Sequence, residues 1–542
     1  MLAGQPVILL KEGTEREEGP SAQREILRAA RAVADSLRST LGPRGLDKML
    51  ISSVGDVVIT NDGATILKEM EIQHPAGKML AEVAKAQDQE CGDGTKTSVI
   101  LTGELLKNAE ELLDEKIHPT VITQGYQIAS EKALEFLDEL ARPVRITDQD
   151  LLHTVAMTSM YSKGVAGHAA FLSTLAVRAV TEVAEDRKGR YFFDKKNIQV
   201  LKRSGGDLSD SEVIEGHIVD QPAVRPDMPK TVDGARIALL EAAIEVKKTE
   251  FNAEIRITES SQVESFLREE ERMVQTMVEA VVRSGATVVF AEKGIDDLAA
   301  EHLARAGVLA LRRVKRSDLE LLARATGARL VARPVDIEPT DLGAAARVEE
   351  RKIGDDRLTL ITGCPHAKAV TILIRGGTTH VVEEVDRSLA DAIMTVGTAL
   401  EDGRVVTGAG AAAVELSQHL RDLAASVGGR EQMAVEAFAD ALEIIPVTLA
   451  ENAGMDTINT LIELRRLHKG GAMQAGVNVL EGTVSNMDDI AVEPIRVDRQ
   501  ILRGATETST MLLRIDDVIS AKRSPTPPAG PKGPGMSGEE FA

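Results

Sequence analysis

The sequence has no tryptophan, and aromatic residues make up only 2% of it. Its hydrophobic cores must therefore be built mainly from Ala, Val, Leu, Ile and Met. Cysteine is equally scarce, because Cys91 and Cys364 are the only two among 542 residues. Two cysteines cannot form a disulfide framework, so we expect a protein of the reducing cytoplasm.

Metal-ligating and membrane-spanning patterns are missing too. The sequence contains neither a CxxC nor an HExxH string, which argues against a structural zinc site. Uncharged runs fall short of the roughly 18–20 residues that a membrane helix needs. The apolar stretch near the start is too short for a signal peptide, and acidic residues flank it. We expect a soluble protein without a membrane partner.

Basic residues are fewer than acidic ones. There are 64 Lys and Arg against 85 Asp and Glu, and the formal net charge is −21. A nucleic-acid partner is therefore not expected, since phosphate backbones are bound by basic surfaces. The 27% of charged residues is typical of a soluble globular protein.

The chain is long enough for about three domains at roughly 100–200 residues each. Helical periodicity prevails to about residue 145 and again after 377, whereas strand-length apolar runs alternate with helices between 216 and 363. This order is typical of an α/β domain inserted into a helical one, although separate domains would also produce it. We predict a multidomain α and α/β protein.

Local patterns predict several elements. Ser21 is expected to cap a helix whose apolar positions run to Leu41. Met49–Ile51 and Val57–Ile59 predict a hairpin. The polar stretch within Lys247–Arg272 indicates an excursion from the α/β region, and the Pro- and Gly-rich residues after 523 predict a disordered tail.

The most informative string is Gly92-Asp93-Gly94-Thr95-Lys96-Thr97, at the start of a predicted helix. Free N–H groups and the positive helix end favour an anion there, and glycine lets phosphate approach the backbone. Threonine hydroxyls can donate to phosphate, and the aspartate can bind Mg²⁺. An ordinary Asp beside a glycine helix cap fits the same string. The residues alone leave both interpretations open.

Two further carboxylates and a glycine-rich run are ambiguous by themselves. Asp62 fits an Asp-Gly turn, and Asp391 lies inside a predicted helix where most carboxylates are solvated. The run from Gly408 to Ala413 is only a partial dinucleotide fingerprint, and no P-loop string occurs. Residue chemistry thus predicts a phosphate-binding helical region with an α/β insertion.

Eight strings widen this prediction. In chain order they resemble a group II chaperonin subunit from about residue 20 to about residue 522, and so many ordered matches do not arise by chance. They are LGPRGLDKML, NDGATILKE, GDGTKTSVIL, EVKKTEFNAEIRI, FAEKGIDDLA, RRVKRSDLELLA, TGCPHAKAVTILIRGG and MLLRIDDVI.

The resemblance implies an ATP-dependent chaperone that encloses non-native proteins in a double ring of identical or related subunits. It implies a mostly helical equatorial ATPase domain, a small intermediate hinge domain, and an α/β apical domain whose helical protrusion serves as a built-in lid. The implied bounds are 1–146 with 401–523, 147–215 with 364–400, and 216–363, followed by the tail 524–542.

The same resemblance implies a site for ATP and Mg²⁺. Its residues fall into groups by role: Leu41, Gly42 and Pro43 around the phosphates; Gly94, Thr95 and Thr97 as phosphate binders; Asp93 as the Mg²⁺ ligand; Asp62 and Asp391 on the attacking water; Lys163 as the γ-phosphate sensor; Gly408 and Gly410 at the adenosine; Asn478 near the adenine; and Glu493 on the ribose.

Three features depart from the family pattern. Lys96 stands where a threonine is usual, Ala409 stands where a glycine is usual, and the tail lacks Gly-Gly-Met repeats. They motivate an alternative, a ring-forming holdase with little ATP hydrolysis. Phe266 and Leu267 could contact client proteins or could pack against the apical core.

Overall fold

The fold is taken from a computed structural model, which describes residues 14–51, 55, 57–246, 260–353, 356–365 and 370–521. In these ranges most helices lie before residue 184 and after residue 378, and they are listed here with their labels: α1 Pro20–Arg38, α2 Gly63–Glu69, α3 Pro75–Cys91, α4 Thr95–Asp114, α5 Pro119–Leu140, α6 Gln149–Met160, α7 Ala169–Val183, α8 Ser260–Ser284, α9 Asp297–Arg305, α10 Arg316–Thr326, α11 Thr379–Asp402, α12 Ala411–Val427, α13 Glu431–Leu442, α14 Ile444–Asn452, α15 Thr457–Lys469 and α16 Ile495–Leu513.

Strands are concentrated between residues 198 and 376. Their bounds are β1 Thr14–Glu18, β2 Lys48–Ile51, β3 Val57–Thr60, β4 Arg142–Pro143, β5 Glu185–Asp186, β6 Tyr191–Phe192, β7 Ile198–Ser204, β8 Glu212–Val219, β9 Thr231–Leu240, β10 Val288–Ala291, β11 Leu309–Leu311, β12 Leu330–Val331, β13 Gly343–Ile353, β14 Asp356–Thr362, β15 Val370–Gly376, β16 Arg404–Thr407, β17 Ala475–Asn478, β18 Thr483–Asn486, β19 Val492–Pro494 and β20 Asp517–Ala521.

The first hydrophobic core is shared by the two ends of the chain. Helices α1, α3, α4 and α5 pack there against α12, α13 and α16. Strands β1 and β20 pair antiparallel, so they join the ends directly. Helix α4 is buried along most of its length because Ala, Val, Leu and Ile residues cover several of its faces. Its first turn is therefore held rigidly by what surrounds it.

The second core surrounds an α/β sheet. The sheet order is β11-β10-β9-β13-β14-β8-β15-β7, and β12 pairs with β9. Neighbours β9 and β10 run parallel, which requires the crossover that α8 supplies. Both strands are apolar and buried at their paired ends, as expected for strands covered on both faces.

The third core lies between the other two. Helices α7 and α11 pack against β7 and β15 at the edge of the sheet, and α6 packs against both helices and against β19. A Cβ on Gly397 would lie 2.4 Å from the Phe193 ring, so only glycine lets α11 approach this ring so closely. Arg496 of α16 forms ion pairs with Glu401 and Asp402 at the end of α11, which ties the third core to the first.

Most local predictions are confirmed, and one is wrong. The hairpin forms from β2 and β3, and the apolar runs predicted as strands at 237–240, 288–290, 308–311 and 329–331 correspond to β9, β10, β11 and β12. The first helix, however, begins at Pro20 with Gly19 as its N-cap, and it ends at Arg38. Proline is favoured in the first turn, so the helix starts before Ser21, and Leu41 lies in the following loop.

Some expectations lie outside the described residues. These are the excursion over 247–259, the tail over 522–542, and the side chains of Phe266 and Leu267. In the part of the chain that is described, no helix has the length and apolar character to cross a membrane.

The Tyr126–Phe438 contact offers a test of the shared core. The two rings meet edge to face, with 5.6 Å between their centroids, and both side chains are fully buried. We expect Phe438→Ala to destabilise this core by about 3–5 kcal/mol through the cavity it leaves. Calorimetric melting checks this, and Met433→Ala in the same helix, where Met433 is 38% exposed, should melt like the wild type.

Candidate active site

A deep cleft opens between the first and third cores. It encloses about 1110 Å³ up to its open mouth. Segments that are far apart in sequence line it: 41–43, 93–97, 158–162, 407–413, 445–449, 477–480 and 487–498. The site is therefore assembled by the fold and not by one contiguous motif.

One wall of the cleft is the turn between α3 and α4. Gly92 ends α3 with φ 70°, and Gly94 precedes α4 with φ 80°; both are left-handed conformations that favour glycine. The N–H of Gly94 donates to Asp93 Oδ1 at 2.7 Å, and Gln87 Nε2 donates to the Asp93 carbonyl at 2.8 Å. No described side chain caps α4. Its first N–H groups are thus available to an anion.

Asp93 is largely buried at this turn. Burial raises the pKa of its carboxyl group, and this effect outweighs the opposing charge of Lys163 and the hydrogen bond from Gly94. A carboxylate in such surroundings gains stability when a cation binds next to it.

Thr95, Thr97 and Lys96 line the cleft beside Asp93. The Lys96 ammonium donates to the Thr40 carbonyl at 3.0 Å and to Asn61 Oδ1 at 2.6 Å. Burial, together with the charge of Lys163, lowers the pKa of Lys96 to about 8. The loop with Leu41, Gly42 and Pro43 is thereby pinned next to the start of α4.

Gly42 has a positional requirement of its own. It has φ 78°, and a Cβ there would lie 2.4 Å from Leu449 Cδ2. Asn452 Nδ2 donates to the carbonyls of Arg38 and Leu41, at 2.9 Å each. Helix α14, from the C-terminal part of the chain, therefore holds the loop that follows α1 in place.

The carboxylates Asp62 and Asp391 reach the same region from other elements. Asp62 caps α2, accepting from the Thr65 N–H at 2.8 Å. Asp391 lies on α11, which approaches the turn closely: a Cβ on Gly92 would lie 2.6 Å from Met394 Cβ and 3.7 Å from the Asp391 carbonyl oxygen. Neither carboxylate is among the residues that line the cleft, and Lys163 is not among them either.

Asp391 and Lys163 form a hydrogen-bonded ion pair, and their side chains are 22% and 9% exposed. Burial raises the pKa of Asp391 to about 6, against the effect of Lys163 and with smaller contributions from the charges of Asp62 and Asp93. Burial alone would lower the pKa of Lys163, but the charge of Asp391 leaves it raised. The structure therefore brings Asp62, Asp93, Asp391 and Lys163 into one electrostatic cluster.

The opposite end of the cleft contains the glycine-rich turn. Gly410 has φ 80°, Ala409 has φ 54°, and the Ala409 carbonyl accepts from the Val477 N–H at 3.0 Å. A Cβ on Gly408 would lie 2.6 Å from Glu493 Oε1, so glycine leaves room for that carboxylate. Asn478 is 3% exposed and also lines the cleft.

Sequence reasoning missed the apolar lining and a third carboxylate of the cleft wall, Asp498, which joins Asp93 and Glu493 there. The apolar residues are Ile445, Leu449, Val479, Leu480, Met487 and Ile490. They carry no signal in the sequence because isolated apolar residues are ordinary core residues. Asp498 sits in the first turn of α16, where acidic residues are common. Burial and the charge of Asp93 raise its pKa to about 7, and burial and Asp498 raise that of Glu493.

Comparison with known proteins gives a consistent result. The model of the TCP-1/cpn60 chaperonin family matches residues 33–523. Thermosome subunit beta of Archaeoglobus fulgidus is 54% identical over 522 residues, 96% of each chain, and a thermosome subunit of Pyrococcus abyssi is 52% identical over 542 residues, covering 100% of this chain and 98% of the other. Thermosome subunit alpha of Thermoplasma acidophilum is 51% identical over 538 residues, 99% of this chain and 98% of the other.

A solved structure is similar as well. It is the open-state monomer of a group II chaperonin from Methanococcoides burtonii, with 40% identity and a TM-score of 0.62. The match covers 78% of this chain and all of the other. The resemblance inferred from the eight strings is thereby confirmed.

Gly94→Ala tests the turn before α4. The added Cβ would lie 2.8 Å from Gln87 Nε2 and 2.9 Å from Val497 Cγ1, at a φ that costs a non-glycine residue about 1–2 kcal/mol. We expect nucleotide affinity to fall at least about tenfold, since about 1.4 kcal/mol is a factor of ten. Calorimetric titration with ATP measures this. Gly504→Ala in α16, where the nearest atom is 3.6 Å away, should bind like the wild type.

Proposed function

The chain belongs to the TCP-1/cpn60 chaperonin family, and we propose that its cleft binds ATP with Mg²⁺ and couples hydrolysis to enclosure of non-native proteins. As a group II chaperonin subunit it is an ATP-dependent chaperone and a chaperonin ATPase. The comparisons give no support to the holdase alternative. What remains to be proposed is how this chain's residues perform that activity.

The residues at the α4 end fit a magnesium–triphosphate group. Asp93 offers a largely buried carboxylate to the metal, and buried carboxylates are favoured next to a cation. The uncapped N–H groups of α4 and the hydroxyls of Thr95 and Thr97 offer donors to phosphate oxygens. Bound there, Mg²⁺ would neutralise phosphate charge. Gly42 and its neighbours would close over the phosphates.

The residues at the other end fit an adenosine. Aliphatic side chains such as Leu449 and Ile490 offer apolar contact area to a base, and Asn478 can donate to or accept from its edge. Glu493 lies beside Gly408, where a ribose would be held, and it can accept hydrogen bonds from ribose hydroxyls. Gly410 allows the backbone to approach the nucleotide.

Hydrolysis requires an oriented water and a group that accepts its proton. We assign this role to Asp62 and Asp391. In the structure the Lys163 ammonium donates a hydrogen bond to the Asp391 carboxylate and forms an ion pair with it. A γ-phosphate would compete for Lys163 because it carries more negative charge than one carboxylate. Its arrival would leave Asp391 free to accept a proton from water.

The positions of these residues suggest how ATP hydrolysis is coupled to movement of the domains. Asp93 lies in the turn between α3 and α4 of the first core, whereas Asp391 lies on α11 and Lys163 follows α6, and both of these helices belong to the third core. Hinge motion between the cores would bring the catalytic carboxylate towards the nucleotide or away from it. We propose that this motion reaches the lid through the second core, with the three domains bounded as the sequence predicts.

The assembly and its partners are proposed on family grounds. The relatives are named as subunits, and some are named alpha or beta. We propose a cytoplasmic double ring of identical or related subunits, with non-native proteins as clients and no nucleic-acid or membrane partner. The Asp391–Lys163 pair within the cluster of Asp62 and Asp93 is the observation that supports the proposed mechanism best.

Replacing the proposed base tests the mechanism. We expect Asp391→Ala to lower steady-state phosphate release by at least about 10²-fold, the usual contribution of a general base. ATP affinity should stay within a few-fold, since Asp391 is not part of the cleft wall. Glu383→Ala, an exposed position on the same helix, is the matched control. Unchanged turnover in Asp391→Ala would contradict the assignment.

The pH dependence provides a second test. Asp391 accepts a proton only as a carboxylate, so with a pKa of about 6 the rate should fall as the pH falls through 6. Lys163 lowers the pKa of Asp391, so Lys163→Met should move this decline to higher pH as well as slow hydrolysis. Phosphate release at ATP concentrations well below saturation, measured between pH 5 and 8, checks both, because kcat/KM reports the free enzyme in which Lys163 still pairs with Asp391. A decline that keeps its midpoint in Lys163→Met would contradict the proposed pairing.

A further inference from the structure

Lys96 is a cation without a counter-ion. Its ammonium makes two hydrogen bonds, to the Thr40 carbonyl and to Asn61 Oδ1, and both acceptors are neutral oxygens. Among the described residues, no carboxylate lies within ion-pair distance of it. The residue is half-buried and lines the cleft between Thr95 and Thr97.

The surroundings are adapted to the lysine stem. A Cβ on Gly63 would lie 2.7 Å from Lys96 Cγ and 2.9 Å from Thr95 Oγ1, so glycine at position 63 makes the space that the stem occupies. The two acceptor oxygens belong to different loops, one after α1 and one before α2. Three separate segments thus hold the ammonium in place at the phosphate end of the cleft.

Burying an ammonium group is costly unless negative charge compensates it. The charges of Asp62, Asp93 and Asp391 help to keep Lys96 protonated at neutral pH, but none of them is its partner. Two of the three N–H donors are satisfied, and the third has no acceptor among the described residues. An anionic ligand in the cleft would supply both the missing acceptor and the missing charge.

We propose that Lys96 is a further catalytic residue of this chain, a tethered monovalent cation that contacts the triphosphate and makes a free monovalent cation unnecessary. The inference rests on the proposed ATP site. Carbonyl and amide oxygens are the ligands that hold K⁺ as well as ammonium, and the two ions have the same charge and similar size. Lys96 occupies the space between such oxygens, so no free ion can enter it.

The ammonium assists in two ways. It donates to a phosphate oxygen, and it offsets the negative charge that phosphoryl transfer spreads over the phosphate oxygens. Lysine suits this role because its charge is compact and its stem is flexible. A purely structural lysine, pinning two loops together, would affect stability but would not make hydrolysis independent of the salt present.

The test measures phosphate release at constant ionic strength in potassium chloride and in choline chloride, whose cation is too large for the site. We expect the wild-type rate of phosphate release to differ less than twofold between the two salts. In Lys96→Met the rate of phosphate release should fall at least about tenfold in both salts, because one charged donor to the reacting group is removed. Lys96→Thr, which leaves the two oxygens facing an open space, should recover activity in potassium only.

Controls keep the outcomes distinct. Lys85→Met, at an exposed position of α3, should match the wild type, and melting curves identify any variant that does not fold. A wild type that needs potassium, a Lys96→Met variant as fast as the wild type, or a Lys96→Thr rate that does not respond to potassium would overturn the inference. A wild type that releases no phosphate in either salt would instead overturn the proposed ATPase site, and this inference with it.

Discussion

The start of α4 is the constraint on which the site depends. Left-handed glycines on both sides of Asp93 turn the chain sharply, so that this carboxylate and the uncapped N–H groups of α4 face one cleft. The turn can hold this geometry because α4 is buried along most of its length by helices from both ends of the chain. A rigid core thus supports a polar turn whose left-handed positions on both sides of Asp93 are occupied by glycine.

Charge balance explains how the other residues are arranged around this turn. Several carboxylates from separate elements lie near Asp93, and burial raises the pKa of Asp391, Asp498 and Glu493. The described cations among them are Lys96 and Lys163, held by neutral oxygens and by Asp391 respectively. A metal cation and a polyanion bound together would stabilise such a site, and this is the basis on which we propose a magnesium nucleotide as its ligand.

Much of this organisation could be predicted from the sequence. The hairpin, the α/β insertion and the helix that starts at Thr95 follow from periodicity and glycine placement. The family followed from eight strings, and the comparisons confirmed it. The roles of single residues did not follow from local pattern, because Asp62 and Asp391 each look like an ordinary turn or helix residue.

The remainder depends on tertiary structure. Asp498 was missed because an acidic residue in the first turn of a helix is commonplace, and only burial beside Asp93 distinguishes it. Lys96 was recognised as a departure, but its acceptors, Thr40 and Asn61, lie 56 and 35 residues away in the chain. The N-cap of α1 was predicted at Ser21, two residues after the observed cap Gly19, because proline is favoured in the first turn of a helix.

The most direct test of the central claim is a structure of the assembled protein with Mg²⁺ and a non-hydrolysable ATP analogue, determined by electron cryomicroscopy. We predict the metal on Asp93, the phosphates against the first turn of α4, and the side chains of Asp62 and Asp391 around the γ-phosphate. A nucleotide bound elsewhere, or a γ-phosphate remote from both of those carboxylates, would contradict the account.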